Sequence, residues 1–375
     1  MTVLYSVLPF LGMLVALIVA HELGHYFTAK LFGVKVLEAG LGYPPRIWGF
    51  GWRGTIYSIN WLPLGGFVRL LGEEDPSDPE SLAAQPAWKR LMVLFAGSGM
   101  NLVLPVLLFA LAFMIPRDVP LGPAVIQVVE PGSPAAQAGL QPGDQIKELE
   151  GREVKNTADA GRIIRLNMGK TIDFRVVRSA TGGGEQVLDV PVKARWDPPS
   201  NQGPTGIRIA NLAATIPQCT TFTNPPPECK PTETQSYNPL KALGKGWTST
   251  WDSLTLARNQ IIAIFHGGSG PDVAGPVGIA QATGEVVKES GWQTLLDFAA
   301  LLSINLAIIN VLPLPMLDGG RMAFVILEVI RGGRRIAPEK EAIVHLIGLA
   351  LIITMAVIVT YFDILRIIGG GSLFE

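Results

Sequence analysis

From Leu4 to Ala20 the chain has no Asp, Glu, Lys or Arg, and this apolar run continues without a break into His21-Glu22-Leu23-Gly24-His25. At 1.5 Å of rise per residue, Thr2 to about Lys30 is long enough to cross roughly 30 Å of hydrocarbon. Helix positions i and i+4 share a face. His21 and His25 can therefore grip one zinc ion, with Glu22 beside it as a proton acceptor. Ionisable groups inside a membrane span are expensive and by default functional. No basic segment precedes the apolar run, so it reads as a retained span and not as a cleaved signal peptide.

Apolar residues make up 48% of the 375, and charged residues only 16%, against a soluble norm of roughly 25%. The expectation is a membrane protein with soluble parts. The net charge of −1 points to no charged partner, and nothing in the chain suggests nucleic-acid binding.

In order, residues 1–33 form the first transmembrane helix, with the His motif in its C-terminal half. Residues 34–90 are a cytoplasmic or re-entrant region built on a β-hairpin. Its fragment Thr55-Ile56-Tyr57-Ser58-Ile59 alternates like a strand, and its turn falls near Gly49 to Gly54. Ile47, Trp48, Phe50, Trp52, Trp61 and Leu62 are too apolar for a solvated loop, which puts the hairpin at the membrane interface or at membrane depth. Residues 91–116 are the second span, where Gly97, Ser98, Gly99 and Asn101 suggest close helix packing.

Residues 117–196 change character and read as a soluble α+β domain. Its expected strands are Ala124 to Val129, Thr171 to Arg178 and Gln186 to Val192, with a helix from Thr157 to Leu166. Residues 197–239 are a Pro-rich connector holding Cys219 and Cys229. Residues 240–290 are an amphipathic helix followed by a loop. Residues 291–332 are the third span, interrupted by Pro313 and Pro315 just before Asp318, and 341–369 are the fourth.

Lys and Arg fix the expected orientation. The loop after the first span carries Lys30, Lys35, Arg46, Arg53, Arg69, Lys89 and Arg90. The loop after the third carries Arg321, Arg331, Arg334, Arg335 and Lys340. Both are expected to be cytoplasmic, which puts both termini, the soluble domain and the cysteines outside. A Cys219–Cys229 disulfide fits an oxidising compartment. The same topology brings His21, His25 and Asp318 to one membrane depth. Catalytic zinc takes three protein ligands and keeps a fourth position open, and Asp318 is the natural third. Asn305 and Asn310, amides at membrane depth, are candidates for a substrate backbone or an oxyanion, or for joining helices. His266 and His345 are not assigned to the metal. Asp297 and Asp363 are expected as solvated charges at the outer interface.

Together, His21-Glu22-Leu23-Gly24-His25 and Asn310-Val311-Leu312-Pro313-Leu314-Pro315-Met316-Leu317-Asp318-Gly319-Gly320 resemble the site-2 protease family of intramembrane zinc proteases. The closest likeness is to the bacterial branch with one PDZ domain. Leu62 to Val68, Ala96-Gly97 to Asn101, and Gly275-Pro276-Val277-Gly278-Ile279 agree with it, whereas Ser98-Gly99 departs from the proline that often follows Ala-Gly in the family. The resemblance implies one Zn2+ on His21, His25 and Asp318, Glu22 as base, and substrate-handling roles for Asn305 and Asn310. It makes Gly139 to Asp144 the signature of a PDZ domain inserted among about four transmembrane helices, in the bacterial cytoplasmic membrane. It implies regulated intramembrane proteolysis of single-pass substrates, of the anti-sigma-factor or remnant-signal-peptide type, after an upstream site-1 protease has cut them. Two alternatives stay open: an idle PDZ membrane scaffold, against which the intact Glu22 argues, and a metal transporter.

Overall fold

The computed structural model describes residues 2–120, 122–179, 184–199, 202–211, 232–268 and 274–372. The chain divides into two compact units, one of Met1–Ala112, Pro239–Thr250 and Asp272–Glu375, the other of Phe113–Asn238 and Trp251–Pro271. Cys219 and Cys229 lie outside the described residues.

Helices α1 (Thr2–Leu31) and α2 (Ala87–Met114) open the first unit. Among the described residues, four helices are long and apolar enough to cross a membrane. These are α1 from Ser6, α2, Trp292–Val311 and Pro338–Ile368. Met13, Leu17 and Ala299 form a small core with Phe10, Leu104, Leu108 and Phe298 around it. A helix in the lipid needs no apolar stripe, because its solvent is as apolar as its neighbours. Ile347, Leu351, Ile353, Met355 and Val357 accordingly stay more than half exposed on the last helix.

Between α1 and α2 lie β1 (Val36–Trp52) and β2 (Thr55–Leu70), joined at Arg53 and Gly54, both with positive φ (47° and 76°). Two central residues with φ > 0 make the tight turn whose twist suits a hairpin. The expected single hairpin is more elaborate. Trp48 pairs with Ile59, Ile59 with Leu41, and Leu41 with Gly66. Each long strand bends back on itself, giving a four-segment antiparallel sheet in the order 46–52, 55–60, 36–41, 66–70. The segment Gly66–Leu70 is an outer edge, and among the described residues no further strand pairs with it.

Glu38 sits buried in this sheet, with Arg46 Nη2 at 2.6 Å and Arg69 Nη2 at 3.3 Å from its carboxylate. Burial works to raise its pKa. Hydrogen bonds from Ser58 and Arg46, and the charges of Arg46 and Arg69, outweigh that and hold the carboxyl below the ordinary 4.5.

The later part of this unit departs from the sequence expectation in several places. The 240–290 region contains two helices, α5 (Pro239–Phe265, shared between the units) and α6 (Pro276–Ser290), where one helix and a loop were expected. The single span expected over 291–332 is two helices, α7 (Trp292–Val311) and α8 (Asp318–Ile330). Proline removes an N–H and disfavours helix in the residue before it, so Pro313 and Pro315 end α7 and leave 312–317 as a loop. Helix α9 (Pro338–Ile368) starts earlier than 341, with Pro338 in its first turn. Asp363 is not solvated. It is 1% exposed, accepts a hydrogen bond from the Gly278 N–H at 2.8 Å and pairs with Arg366. Gly275 and Gly278 have no Cβ, which leaves room for that carboxylate at the start of α6. Asp297 is half-buried.

The second unit is built on an antiparallel sheet. Its strands are β4 (Ala124–Val129), β5 (Gln145–Leu149), β6 (Arg152–Glu153), β7 (Thr171–Ser179), β8 (Glu185–Lys193) and β9 (Ile207–Asn211). The order is β8-β7-β5-β4-β9, with β6 beside β5. Ile126, Ile146, Leu149, Ile172, Phe174 and Val176 fill its core. The short helix α3 (Pro134–Gln137) is capped by Ser133, and α4 (Thr157–Leu166) by Asn156, which accepts from the Asp159 N–H at 2.9 Å. The region read as a connector contributes structure. β9 completes the sheet next to β4, and β10 (Thr232–Gln235) pairs with β3 (Arg117–Pro120). Both strands are too short for periodicity to reveal.

A carboxylate whose folded pKa lies below its unfolded value stabilises fully above the unfolded pKa and stops doing so as pH falls through the folded one. The four-segment sheet therefore loses the Glu38 contribution on acidification below about 4.5. Tryptophan fluorescence of Trp48, Trp52 and Trp61 during thermal unfolding should show an acid-side fall in the melting temperature. Glu38→Gln should lower that temperature near neutrality and flatten its acid limb.

Candidate metal centre

The His pair and Asp318 come together from opposite ends of the sequence. His21 Nε2 and His25 Nε2 are 3.1 Å apart. Asp318 Oδ2 is 3.1 Å from the first and 3.2 Å from the second. Four donors set tetrahedrally at 2.0–2.1 Å from zinc lie roughly 3.3 Å from one another, so this triangle is already close to that spacing. Among the described residues it is the one group of three His, Cys or carboxylate ligands able to share an ion. Asp318 Oδ2 is buried and has no hydrogen-bond donor. Such an orphaned anionic oxygen, facing two imidazole nitrogens, fits a divalent cation.

Each imidazole is held from behind. His25 Nδ1 donates to the Val93 carbonyl of α2 at 2.8 Å, which leaves Nε2 as a lone pair aimed at Asp318. His21 Nδ1 faces the Asn101 amide at 3.3 Å. Asn101 is 1% exposed and its Oδ1 has no partner. With the amide rotated so that Oδ1 takes the Nδ1 proton, both needs are met, and His21 Nε2 is also free to bind metal. Asn101 is itself anchored, because Ser303 Oγ donates to its carbonyl at 2.9 Å. Helix α2 comes this close because residue 97 is glycine: a Cβ there would collide with both imidazole rings.

Asp318 is the first residue of α8, where the helix dipole favours a negative charge. The preceding loop carries Met316 at φ 78°, a left-handed conformation that costs energy without glycine. The Met316 N–H donates to His345 Nδ1 of α9 at 2.8 Å, which fixes the loop. Three residues beyond Asp318, Arg321 pairs with Glu73.

The triad opens into a cavity of about 410 Å3, walled by Glu22, Val93, Asp318 and the sheet edge Gly66–Leu70. The side chains of His21, His25 and Asp318 are 14, 12 and 18% exposed, so the centre is shielded yet reachable. Glu22 stands on the same wall, against Gly66.

Two imidazoles, a carboxylate and an adjacent glutamate on one helix make the arrangement of a hydrolytic metal site, and comparison with known proteins agrees. The profile of peptidase family M50 matches residues 9–355. This chain belongs to peptidase family M50. It is similar to the zinc metalloprotease RasP of Oceanobacillus iheyensis, 28% identical over 96% of this chain and 99% of the relative. It is also similar to the regulator of sigma-W protease RasP of Bacillus subtilis, 27% identical over the same shares. As an M50 peptidase the protein is a zinc metalloprotease and a multi-pass bacterial membrane protein.

Of the other residues singled out in this M50 peptidase, Asn310 is half-buried one residue before the end of α7, and Asn305 is exposed on the same helix. Neither is in the donor triangle. His266 is exposed and stacks on Trp196 with ring centroids 5.6 Å apart. Three features of the site were missed by sequence reasoning: Asn101 behind His21, the Val93 carbonyl behind His25, and His345 behind the Asp318 loop. Gly97 and Asn101, four apart on α2, gave the one available signal, a shared helix face.

Removing a residue that orients a metal ligand costs roughly 10–100-fold in metal affinity. Asn101→Leu should weaken zinc binding by about that factor in competition with a chromogenic chelator. Asn101→Asp, which keeps an acceptor, should retain most of the affinity.

Proposed function

We propose that this M50 peptidase cuts the membrane-spanning segment of single-pass proteins, with His21, His25 and Asp318 as zinc ligands and Glu22 as catalytic base. The observation that carries the reading is the 3.1–3.2 Å donor triangle with Glu22 on the wall of the same cavity. Zinc bound there would act as a Lewis acid, bringing the pKa of water to about 7 and polarising the scissile carbonyl. Glu22 takes the proton from the attacking water and hands it to the leaving amine. A peptide bond within a helix is tied up in that helix's own hydrogen bonds, so the substrate must be drawn out. The free edge Gly66–Leu70 lines the metal cavity and can hold an extended segment by strand addition. Asn310 and Asn305 are assigned to the substrate backbone or the tetrahedral oxyanion.

Regulation of sigma-W, in the name of the Bacillus subtilis relative, supports a substrate whose cleavage controls transcription. We extend this to anti-sigma factors or remnant signal peptides, cut first by a site-1 protease. The second unit is read as an extracytoplasmic PDZ domain that excludes large ectodomains or binds new C-termini. The Lys and Arg of the two short loops support a cytoplasmic-side active site, with both termini outside and a Cys219–Cys229 bridge. Transport of the metal would need further ligands leading away from the triad, and among the described residues there is no second such group.

In purified protein, Glu22→Gln should keep bound zinc and lose about 10^2- to 10^4-fold in cleavage of a single-pass reporter. His21→Ala should lose both. Unimpaired cleavage by Glu22→Gln would reject the mechanism.

A further inference from the structure

A second cavity, of about 330 Å3, lies between α1 and the four-segment sheet. Its lining is almost wholly apolar: Leu23, Leu41, Ile59 and the rings of Tyr26, Tyr57 and Phe67. The two tyrosine hydroxyls are hydrogen-bonded to each other at 2.6 Å, which satisfies the polar tips. Burial and that bond push Tyr57 up to about 12, so its hydroxyl stays uncharged at physiological pH. Glu22, Gly66, Phe67 and Val68 line this cavity and the metal cavity alike, so the two spaces meet at the glutamate.

The two spaces differ in chemistry. The metal cavity carries Arg69, Glu73, Asp318 and Arg321. An apolar side chain placed there would desolvate charged groups without replacing their hydrogen bonds. A membrane-derived substrate supplies mostly apolar side chains. In an extended segment they alternate between the two faces, so a backbone laid on the Gly66–Leu70 edge sends one of two neighbouring side chains to each face. We infer that the apolar cavity is a specificity pocket, taking a large apolar side chain (Leu, Met or Phe) from one of the two residues that flank the scissile bond. The pocket rests on the proteolytic reading above and gives it a substrate rule. Ala39 lies in its wall, where a longer side chain fills it, and shortening Leu41 enlarges it.

The test uses the full-length zinc-loaded enzyme in phosphatidylethanolamine/phosphatidylglycerol liposomes. A single-pass reporter with a mapped cleavage site is varied through Ala, Leu, Phe and Trp on each side of the bond. A hydrophobic pocket discriminates by about 10–200-fold for small changes in side-chain size. The wild type should prefer Leu or Phe over Ala by about tenfold or more in kcat/KM at one of the two positions. Ala39→Phe should collapse that ratio towards one. Leu41→Ala should move the preference towards Trp, an opposite shift that misfolding cannot imitate. Equal loss on all reporters, or no preference at either position, overturns the pocket. So does a lipid acyl chain as occupant, shown by altered lipid co-purification with the reporter ranking unchanged. Glu22→Gln, assayed in parallel, separates the two readings. Surviving cleavage there removes the proteolytic mechanism, whereas full loss there with an unchanged ranking in Ala39→Phe removes only the pocket.

Discussion

Three donor atoms from α1 and α8 stand within 3.2 Å of one another, with their side chains largely shielded from solvent. An ionised carboxylate removed from water is tolerated only when it is paired or bound to a cation, and imidazoles bind metal only when their protons are held elsewhere. The fold meets both conditions from outside the triangle. Helix α2 provides the Val93 carbonyl and the Asn101 amide, and α9 provides His345 to hold the loop that delivers Asp318.

A second tier of polar contacts braces α8. Arg321 pairs with Glu73, whose carboxylate also accepts from the Leu70 N–H at the end of the sheet. Arg90 of α2 pairs with Glu328 at 2.7 Å. Arg335 reaches both Glu328 and the Ala83 carbonyl. These links tie the sheet edge, the start of α2 and the metal-bearing helix into one framework. Isolated exposed ion pairs contribute little, but Arg90 and Glu328 are nearly buried and share partners, so they act as a network.

What the sequence discloses depends on how local the signal is. The spans are legible because about twenty apolar residues in a row have few other uses. The His pair is legible because i and i+4 must share a face, and the strands from Thr171 to Val192 because their alternation is long enough to read. The bent four-segment sheet is different. Its register joins Leu41 to both Ile59 and Gly66, and no local pattern encodes a residue with two neighbours far along the chain. β9 and β10 fail for brevity, and Asp363 because a lone charge near a helix end looks the same whether it meets water or a distant N–H. Asn101 and His345 carry chemistry only through partners 80 and 29 residues away, which is why one reads as packing and the other is left out of the metal site.

The missing side chain at Gly97 leaves this architecture open to a quiet form of inactivation. One methyl group there would press on both imidazole rings while every ligand and Glu22 kept its identity. A sequence reader looking only for the His-Glu-x-x-His signature and the distant aspartate would still score such a chain as competent. Telling a working member from a retired one therefore means reading the second helix as carefully as the first.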